Sequence, residues 1–261
     1  MASVADDGRM PPPKQVRVWA ASDLHGIDPA TLPVQPDGCD IALLAGDLCP
    51  LPDWAIRTID AQIVWLNVVV GEWAASRPQT QFVAIPGNRD VFLKRKHARN
   101  FIRLPPNVHF LIDEGVDVCG LRIYGTPWVS SINGRFAFEA HSESIEQQWF
   151  DSIPAGTDIL VSHAPPRIAG LDLDSHLQYP HMMLRHFGSR PLADAIRRVS
   201  PALCVFGHIH TGDHSLHTLS CGTALRNVSV IDEDYRLAFR PAVIDVPVLH
   251  RTVPFATHPL S

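Results

Sequence analysis

The 261-residue sequence has no basic excess, no long apolar run and no CxxC pair. Its 22 lysines and arginines stand against 27 aspartates and glutamates, a formal charge of −5. That balance gives no electrostatic footprint for a nucleic-acid polymer. Every apolar stretch falls short of the ~20 residues of a membrane-spanning helix. The five cysteines (Cys39, Cys49, Cys119, Cys204 and Cys221) are scattered and odd in number. They read as reduced core residues rather than a disulfide framework or a zinc ribbon. Residues 1–13 have neither the basic start nor the apolar core of a secretory signal. These absences predict a cytoplasmic globular protein, with neither a nucleic-acid polymer nor a membrane as partner. Residues 1–14 read as a disordered N-terminal tail, 15–247 as one domain, and 248–261 as a C-terminal tail.

Two residue types are in excess. Histidine occurs 14 times, with eight between His163 and His217. Proline occurs 23 times, above an average of about one residue in twenty. With 46% apolar residues, the chain is long enough to bury a sizeable core.

Residues 15–22 (QVRVWAAS) alternate, turn apolar and stop at Asp23, the pattern of a strand entering a polar loop. Residues 41–45 and 81–85 are continuous apolar runs, stopped by Gly46-Asp47 and by Pro86-Gly87-Asn88. Such strands suit a sheet covered on both faces. Between them, residues 53–76 predict one long helix with Asp53 near its start. Strand, helix, strand points to a crossover unit and a parallel or mixed α/β sheet. Residues 116–124 predict two short strands about a Cys119-Gly120 turn. A helix over 141–151, a strand over 158–162, a helix over 191–199 and a strand over 202–206 follow. The 191–199 helix carries proline in its first turn, where the missing N–H costs little. Residues 224–231 and 242–246 predict the closing strands.

Five of the apolar runs end on residues able to hold a metal. They are Asp23-Leu24-His25, Gly46-Asp47, Gly87-Asn88-Arg89-Asp90, His163, and Gly207-His208-Ile209-His210. In α/β sheets ligands bind beyond the carboxyl ends of the strands, so these loops are expected to converge on one cleft. If the DxH and HxH segments stay extended, their alternate side chains point the same way. Mixed oxygen and nitrogen donors suit manganese, iron or zinc better than calcium. The glycines of GD, GN and GH are expected where the backbone passes close to the cluster.

The blocks DLHG, LAGDL, PGNRD, SHAPP and FGHIH, in this order, resemble the calcineurin-like metallophosphoesterase superfamily. The phrases IYGTPW (123–128), IPAGTDILVSHAPP (153–166) and NVSVIDEDYRLAFRPAVIDV (227–246) are similar to its small metallophosphoesterase-domain-containing branch. Members of that branch resemble class III cyclic-nucleotide phosphodiesterases. The resemblance implies a four-layer α/β/β/α sandwich and two divalent metal ions. It implies Asp23, His25 and His210 on the first ion, Asn88, His163 and His208 on the second, and Asp47 bridging both. Manganese or iron is the expected metal, with zinc, magnesium or nickel as further candidates. A metal-bridging hydroxide would attack a small phosphoester in line, with cyclic nucleotides as candidate substrates. Two alternatives stay open: a nucleotide-sugar or dinucleotide pyrophosphatase, and a non-catalytic scaffold of the same fold.

One position departs from the family. Where the family usually has GNHD or GNHE, this chain has Arg89, a permanently charged and poor general acid. The same GNRD spelling occurs in UDP-2,3-diacylglucosamine pyrophosphatases, whose acyl-chain-binding insertion has no evident counterpart here. Arg89 is expected to bind substrate phosphate together with Asn88, and Asp90 to pair with Arg89; these two are the candidate catalytic side chains. Residues 168–190, with His176, Tyr179, His181, Met182, Met183 and His186, read as a connecting loop and helix. His214 and His217 read as strand residues. Lys94, Arg95, Lys96 and Arg99 read as the solvated face of a helix, and Asn133-Gly134 as a turn bordering the site. The oligomeric state stays open.

Overall fold

The computed structural model describes residues 13–52, 58–94, 97–173 and 186–248. Its first strands are β1 (Gln15–Ala21), β2 (Ile41–Ala45), β3 (Gln81–Ile85) and β4 (Val108–Phe110). They pair in parallel, and the closing strand β13 (Ala242–Pro247) adds antiparallel beside β1, giving the order β13-β1-β2-β3-β4. A second sheet is built from β5 (Glu114–Val118), β6 (Leu121–Thr126), β9 (Ile159–Ser162), β10 (Leu203–Phe206), β11 (His217–Thr218) and β12 (Ala224–Asn227). Its order is β11-β12-β10-β9-β6-β5, while β7 (Val129–Ser130) and β8 (Glu139–Ala140) form a separate short pair.

Side chains alternate across each strand, so a strand that is apolar throughout must be covered twice. Ile41, Leu43 and Ala45 of β2 join Val83, Ile85, Ile159, Val161, Leu203 and Val205 in a core between the sheets. Ala42 and Leu44 face the other way, into a cluster with Phe82, Leu66, Val70 and Trp73. On the outer face of the second sheet, Leu160, Cys204 and Phe206 meet Phe150, Leu192 and Ile196 from two helices. The layers are helix, sheet, sheet, helix, as the resemblance implies.

The helix expected over 53–76 is broken. It runs as α1 (Thr58–Trp65), a π-helical turn over Leu66–Val70, and α2 (Gly71–Ala75); Asp53 lies outside the described residues. Three successive β-branched valines, 68–70, crowd a regular helical turn, and the wider turn accommodates them. Two later helices match expectation closely. In α3 (Glu143–Asp151) the Ser142 side chain caps the first turn. In α4 (Arg190–Val199) Ser189 does the same and Pro191 stands in the first turn.

The basic stretch after Asp90 is a correction. It forms two 3-10 turns, Val91–Lys94 and Ala98–Phe101, with Arg95 and Lys96 outside the described residues. Arg99 pairs with Glu114 at 2.8 Å, and the Lys94 ammonium donates to the Arg135 carbonyl at 2.8 Å. Partners on strand β5 and on the loop at Arg135, rather than a helix ladder, hold these two side chains. The cysteines divide as well. All five are free thiols; Cys39, Cys49 and Cys204 are buried, but Cys119 and Cys221 are exposed on the turns that end β5 and precede β12. Among the described residues no helix is long and apolar enough to cross a membrane.

This topology creates one special edge. β1, β2 and β3 lie side by side in parallel, as do β9 and β10, and all five carboxyl ends open on it. A parallel bridge between Ser22 and Ser229 ties the two sheets together where β1 ends.

Candidate metal centre

At that edge the backbone turns sharply. Asp23, His25, Asp47 and His208 have φ of 58°, 44°, 52° and 70°, the left-handed region that non-glycine residues avoid. Each costs about 1–3 kcal/mol and persists where surrounding structure over-determines it. Here the Asp23 N–H donates to the Gly46 carbonyl at 3.0 Å and the His25 N–H to that of Asp47 at 2.9 Å. The His208 N–H donates to the Asp23 carboxylate at 3.1 Å. The DxH and HxH segments therefore do not stay extended, and the condition for their alternate side chains to point the same way is not met. His208 and His210 point to opposite ends of the cluster: the His208 ring lies 5.2 Å from His163, and the His210 ring 5.3 Å from His25.

Close packing accounts for the neighbouring glycines. A Cβ at Gly87 would collide with the Asp47 carboxylate and backbone nitrogen, and one at Gly207 with the Asp23 carboxylate and Ser22 hydroxyl.

The side chains form two overlapping groups, Asp23 with His25 and His210, and Asp23 with Asp47 and His163. Within each group the candidate ligand atoms lie within 4.8 Å of one another. Asp47 Oδ2 stands 3.6 Å from His25 Nε2 and 3.4 Å from His163 Nε2. Asp23 Oδ1 lies 3.7 Å from His210 Nε2. Asn88 Oδ1 approaches His163 Nε2 at 2.9 Å and His208 Nδ1 at 3.1 Å. All seven residues expected to hold metal thus meet in one cluster, five of them lining a cleft and Asp23 and His163 fully buried.

The electrostatics of this cluster suit a cation. Burial holds His25 down to about 4 against the pull of Asp47 and Asp23, and burial with the nearby His163 charge holds His208 down to about 3. Both rings are neutral near pH 7, with lone pairs available. His163 Nδ1 donates to the Ala45 carbonyl at 3.0 Å, which turns Nε2 toward the cluster. Burial opposes charge on both His163 and Asp47, but their mutual attraction prevails: His163 is raised and Asp47 held well below the carboxylate range. Both ring nitrogens of His25, and Nδ1 of His210, are buried with no hydrogen-bond partner. Buried orphans of this kind are costly unless something fills the gap. Oxygen and imidazole donors converging around them fit divalent cations.

Asp90 does not pair with Arg89. It is buried, and accepts the N–H groups of Gly87 at 2.8 Å, Cys49 at 2.9 Å and Leu48 at 3.3 Å. Burial and the charge of Asp47 raise it to about 6. It fastens the loop of Asp47 to the loop of Asn88. Arg89 instead lays its guanidinium over the Phe136 ring, 4.0 Å from the centroid, and reaches within 3.5 Å of the Tyr235 hydroxyl.

A cleft of about 160 Å³ lies over the cluster, lined by Arg89, Ile132, Phe136, Glu233 and Tyr235 besides the histidines. A larger apolar cavity of about 430 Å³, among Ile59, Ile63, Val64 and Phe101, shares no residue with it. The sequence reading assigned no role to Phe136 or to Tyr235, although Tyr235 lies within the 227–246 phrase. His214, expected to be a strand residue, lies outside the strands, donates to the His210 carbonyl at 2.7 Å and stacks on Phe239 at 3.8 Å. His217 is in β11, and Ile132 brings the turn at Asn133-Gly134 to the cleft border. Within 168–190, residues 174–185 lie outside the described residues, and His186 bonds to the buried Asp172 at 2.8 Å.

Residues 16–212 match the family described as calcineurin-like phosphoesterase. Metallophosphoesterase domain-containing protein 1 of Homo sapiens is 29% identical over 260 residues, covering 90% of this chain and 72% of its own length. A UPF0046 protein of Caenorhabditis elegans is 28% identical over 249 residues, covering 90% and 82%. The solved structure of TT1561 from Thermus thermophilus has a TM-score of 0.54 at 14% identity, over 90% of this chain and 100% of that one. That last likeness is one of fold.

Proposed function

Because this chain belongs to the calcineurin-like phosphoesterase family, and is thereby a metal-dependent phosphoester hydrolase, we propose that it cleaves small phosphodiesters, cyclic nucleotides among them, at a two-cation centre. Asp23, His25 and His210 would hold one cation and Asn88, His163 and His208 the other, with Asp47 placed beside both His25 and His163 to serve either. Manganese or iron suits these donors best. Bound there, two divalent cations neutralise phosphoryl charge and supply an activated water at neutral pH.

The chain's own residues orient the reaction. The Ala45 carbonyl fixes the tautomer of His163, and Asp90 locks the loops carrying Asp47 and Asn88. Arg89, charged at any working pH, binds phosphoryl oxygens from the rim and donates no proton to the leaving group. The observation that carries this reading is the convergence of carboxylate and imidazole atoms from four strand ends, with the Asn88 amide from a fifth, around orphaned ring nitrogens.

Protein stripped of metal and reloaded with Mn²⁺ is expected to hydrolyse bis(p-nitrophenyl) phosphate, and Asp47→Ala or His208→Ala to reduce turnover to background. Absence of metal-dependent turnover on aryl phosphodiesters, cyclic AMP and UDP-sugars alike would reject it. Faster cleavage of UDP-sugars than of cyclic AMP would assign the pyrophosphatase reaction instead.

A further inference from the structure

Arg89, Phe136 and Tyr235 come from three separate loops, yet meet at one side of the cleft. A free arginine at a cleft mouth samples many rotamers, and this one packs on an aromatic ring on one side and approaches a hydroxyl on the other. Its guanidinium carbon lies 4.0 Å over the Phe136 ring, and one Nη2–H is directed to the Tyr235 oxygen at 3.5 Å. A guanidinium can only donate, so the Tyr235 oxygen accepts and its own hydrogen stays free to donate elsewhere. The Tyr235 ring is seated edge-on against His25 at 5.0 Å and His210 at 5.4 Å. From that seat Tyr235 lines the cleft with its hydroxyl beside Arg89.

The loops beneath these side chains are also prearranged. Glu139 accepts the N–H groups of Ile132, Asn133 and Gly134 at 2.8, 2.9 and 2.8 Å through one oxygen, and that of Phe136 at 2.8 Å through the other. Burial disfavours its charge, but these backbone donors outweigh it and hold Glu139 below the ordinary glutamate range. The Ala137 N–H donates to the Asn88 carbonyl at 2.9 Å, so the Phe136 loop is fastened to the Arg89 loop. Opposite, Asp232 accepts the N–H groups of Asp234 and Arg236, both at 2.9 Å, and presents Tyr235 at a φ of 60°.

We propose that Arg89 and Tyr235 form a preset donor clamp for the phosphoryl oxygens of the substrate, and that Phe136 is the positioning residue that aims the guanidinium. The proposal rests on the phosphodiesterase reading and adds its substrate-side contacts. It also gives the arginine at the family's histidine position a role that requires no proton transfer. Binding energy is greatest when the donors are already in place, since little conformational entropy is then lost on binding.

The test is a double-mutant cycle on the Mn²⁺-reloaded protein, read in kcat and KM on bis(p-nitrophenyl) phosphate and in the calorimetric affinity for inorganic phosphate. Phe136→Leu is expected to lower kcat/KM and phosphate affinity about five-fold, the scale of a lost cation–π contact. Phe136→Trp, which restores an aromatic face, is expected to recover most of that loss. In an Arg89→Ala background Phe136→Leu is expected to add nothing further. Tyr235→Phe keeps the ring against His25 and His210 and loses only the hydroxyl, and is expected to weaken both readouts about three-fold. Equal effects of Phe136→Leu with and without Arg89, or unchanged readouts in Phe136→Leu and Tyr235→Phe, would overturn the clamp. So would loss of bound manganese in either variant, which would make these residues supports of the metal loops. A protein that turns over no phosphoester yet binds phosphate through Arg89 and Tyr235, with an affinity that falls in Phe136→Leu, would retain the clamp while the phosphodiesterase reading fails.

Discussion

Asp23, His25, Asp47 and His208 stand on left-handed backbone at the ends of buried strands, whereas Arg89, Phe136 and Tyr235 stand on loops at the mouth of the same cleft. The floor is held by long-range bonds. Asp23 is tied to residues 46 and 208, His25 to Asp47, and His163 to Ala45. Its geometry therefore exists only once the two sheets are packed. At the rim Phe136 and Tyr235 are held by two carboxylates, Glu139 and Asp232, each collecting N–H groups from within a few residues, while the Arg89 N–H donates to Asp47 of the floor at 2.7 Å. Disturbing the floor should cost fold and metal together; disturbing the rim should cost substrate alone.

The largest expected effect breaks the floor by volume alone. In Gly87→Ala the new methyl group would meet the Asp47 carboxylate and backbone, so that loop must shift. Turnover is expected to fall about 100-fold or more, since displacements near 1 Å cost that much. Thermal denaturation should show a loss of about 1–3 kcal/mol, the usual cost of overpacking. A variant with native stability and full turnover would show the floor to be as pliable as a loop.

Asp90→Asn comes next. An amide offers one acceptor oxygen to three backbone donors, and its NH₂ group opposes them. Loss of a residue that orients ligand loops typically weakens metal affinity about 10–100-fold. Competition with a chelator measures this, and unchanged affinity would detach Asp90 from the metal centre.

Glu139→Gln sharpens the contrast from the other side. It is expected to loosen residues 132–136 and raise KM about three- to ten-fold, as a weakened charge-assisted network would. Manganese content and melting temperature should change little. If manganese is lost instead, floor and rim are one unit.

The smallest effect compares strain inside and outside the cleft. Ser200 also sits at positive φ, 51°, but it only ends α4. Ser200→Gly is expected to be neutral or to stabilise by up to about 1 kcal/mol, with activity unchanged. Denaturant unfolding reads the change.

Much of this architecture is legible in local patterns. The runs 41–45 and 81–85 coincide with β2 and β3, because a continuous apolar stretch bounded by glycine and proline has few other uses. The hairpin about Cys119-Gly120 and the start of α4 beside Pro191 are equally local. The break at Leu66–Val70 was not legible, since apolar periodicity does not separate a regular turn from a wider one. In the cleft, ligand types and their strand-end positions could be read from the order of blocks, whereas Phe136 and Tyr235 carry no such mark. Their places depend on Glu139 and Asp232 bending two loops, and no residue spacing encodes where two bent loops meet.

The chain order alone settled which residue types stand at the ends of the strands, and with them the family and its chemistry. It did so because strand, stop and metal-capable side chain are neighbours along the backbone. Folding settled which nitrogen of His163 faces inward, that His208 and His210 part company, and that Asp90 serves the loops rather than Arg89. Those outcomes depend on left-handed turns and carbonyl partners more than a hundred residues away, such as Ala45 for His163, whose positions exist only when the two sheets close on each other.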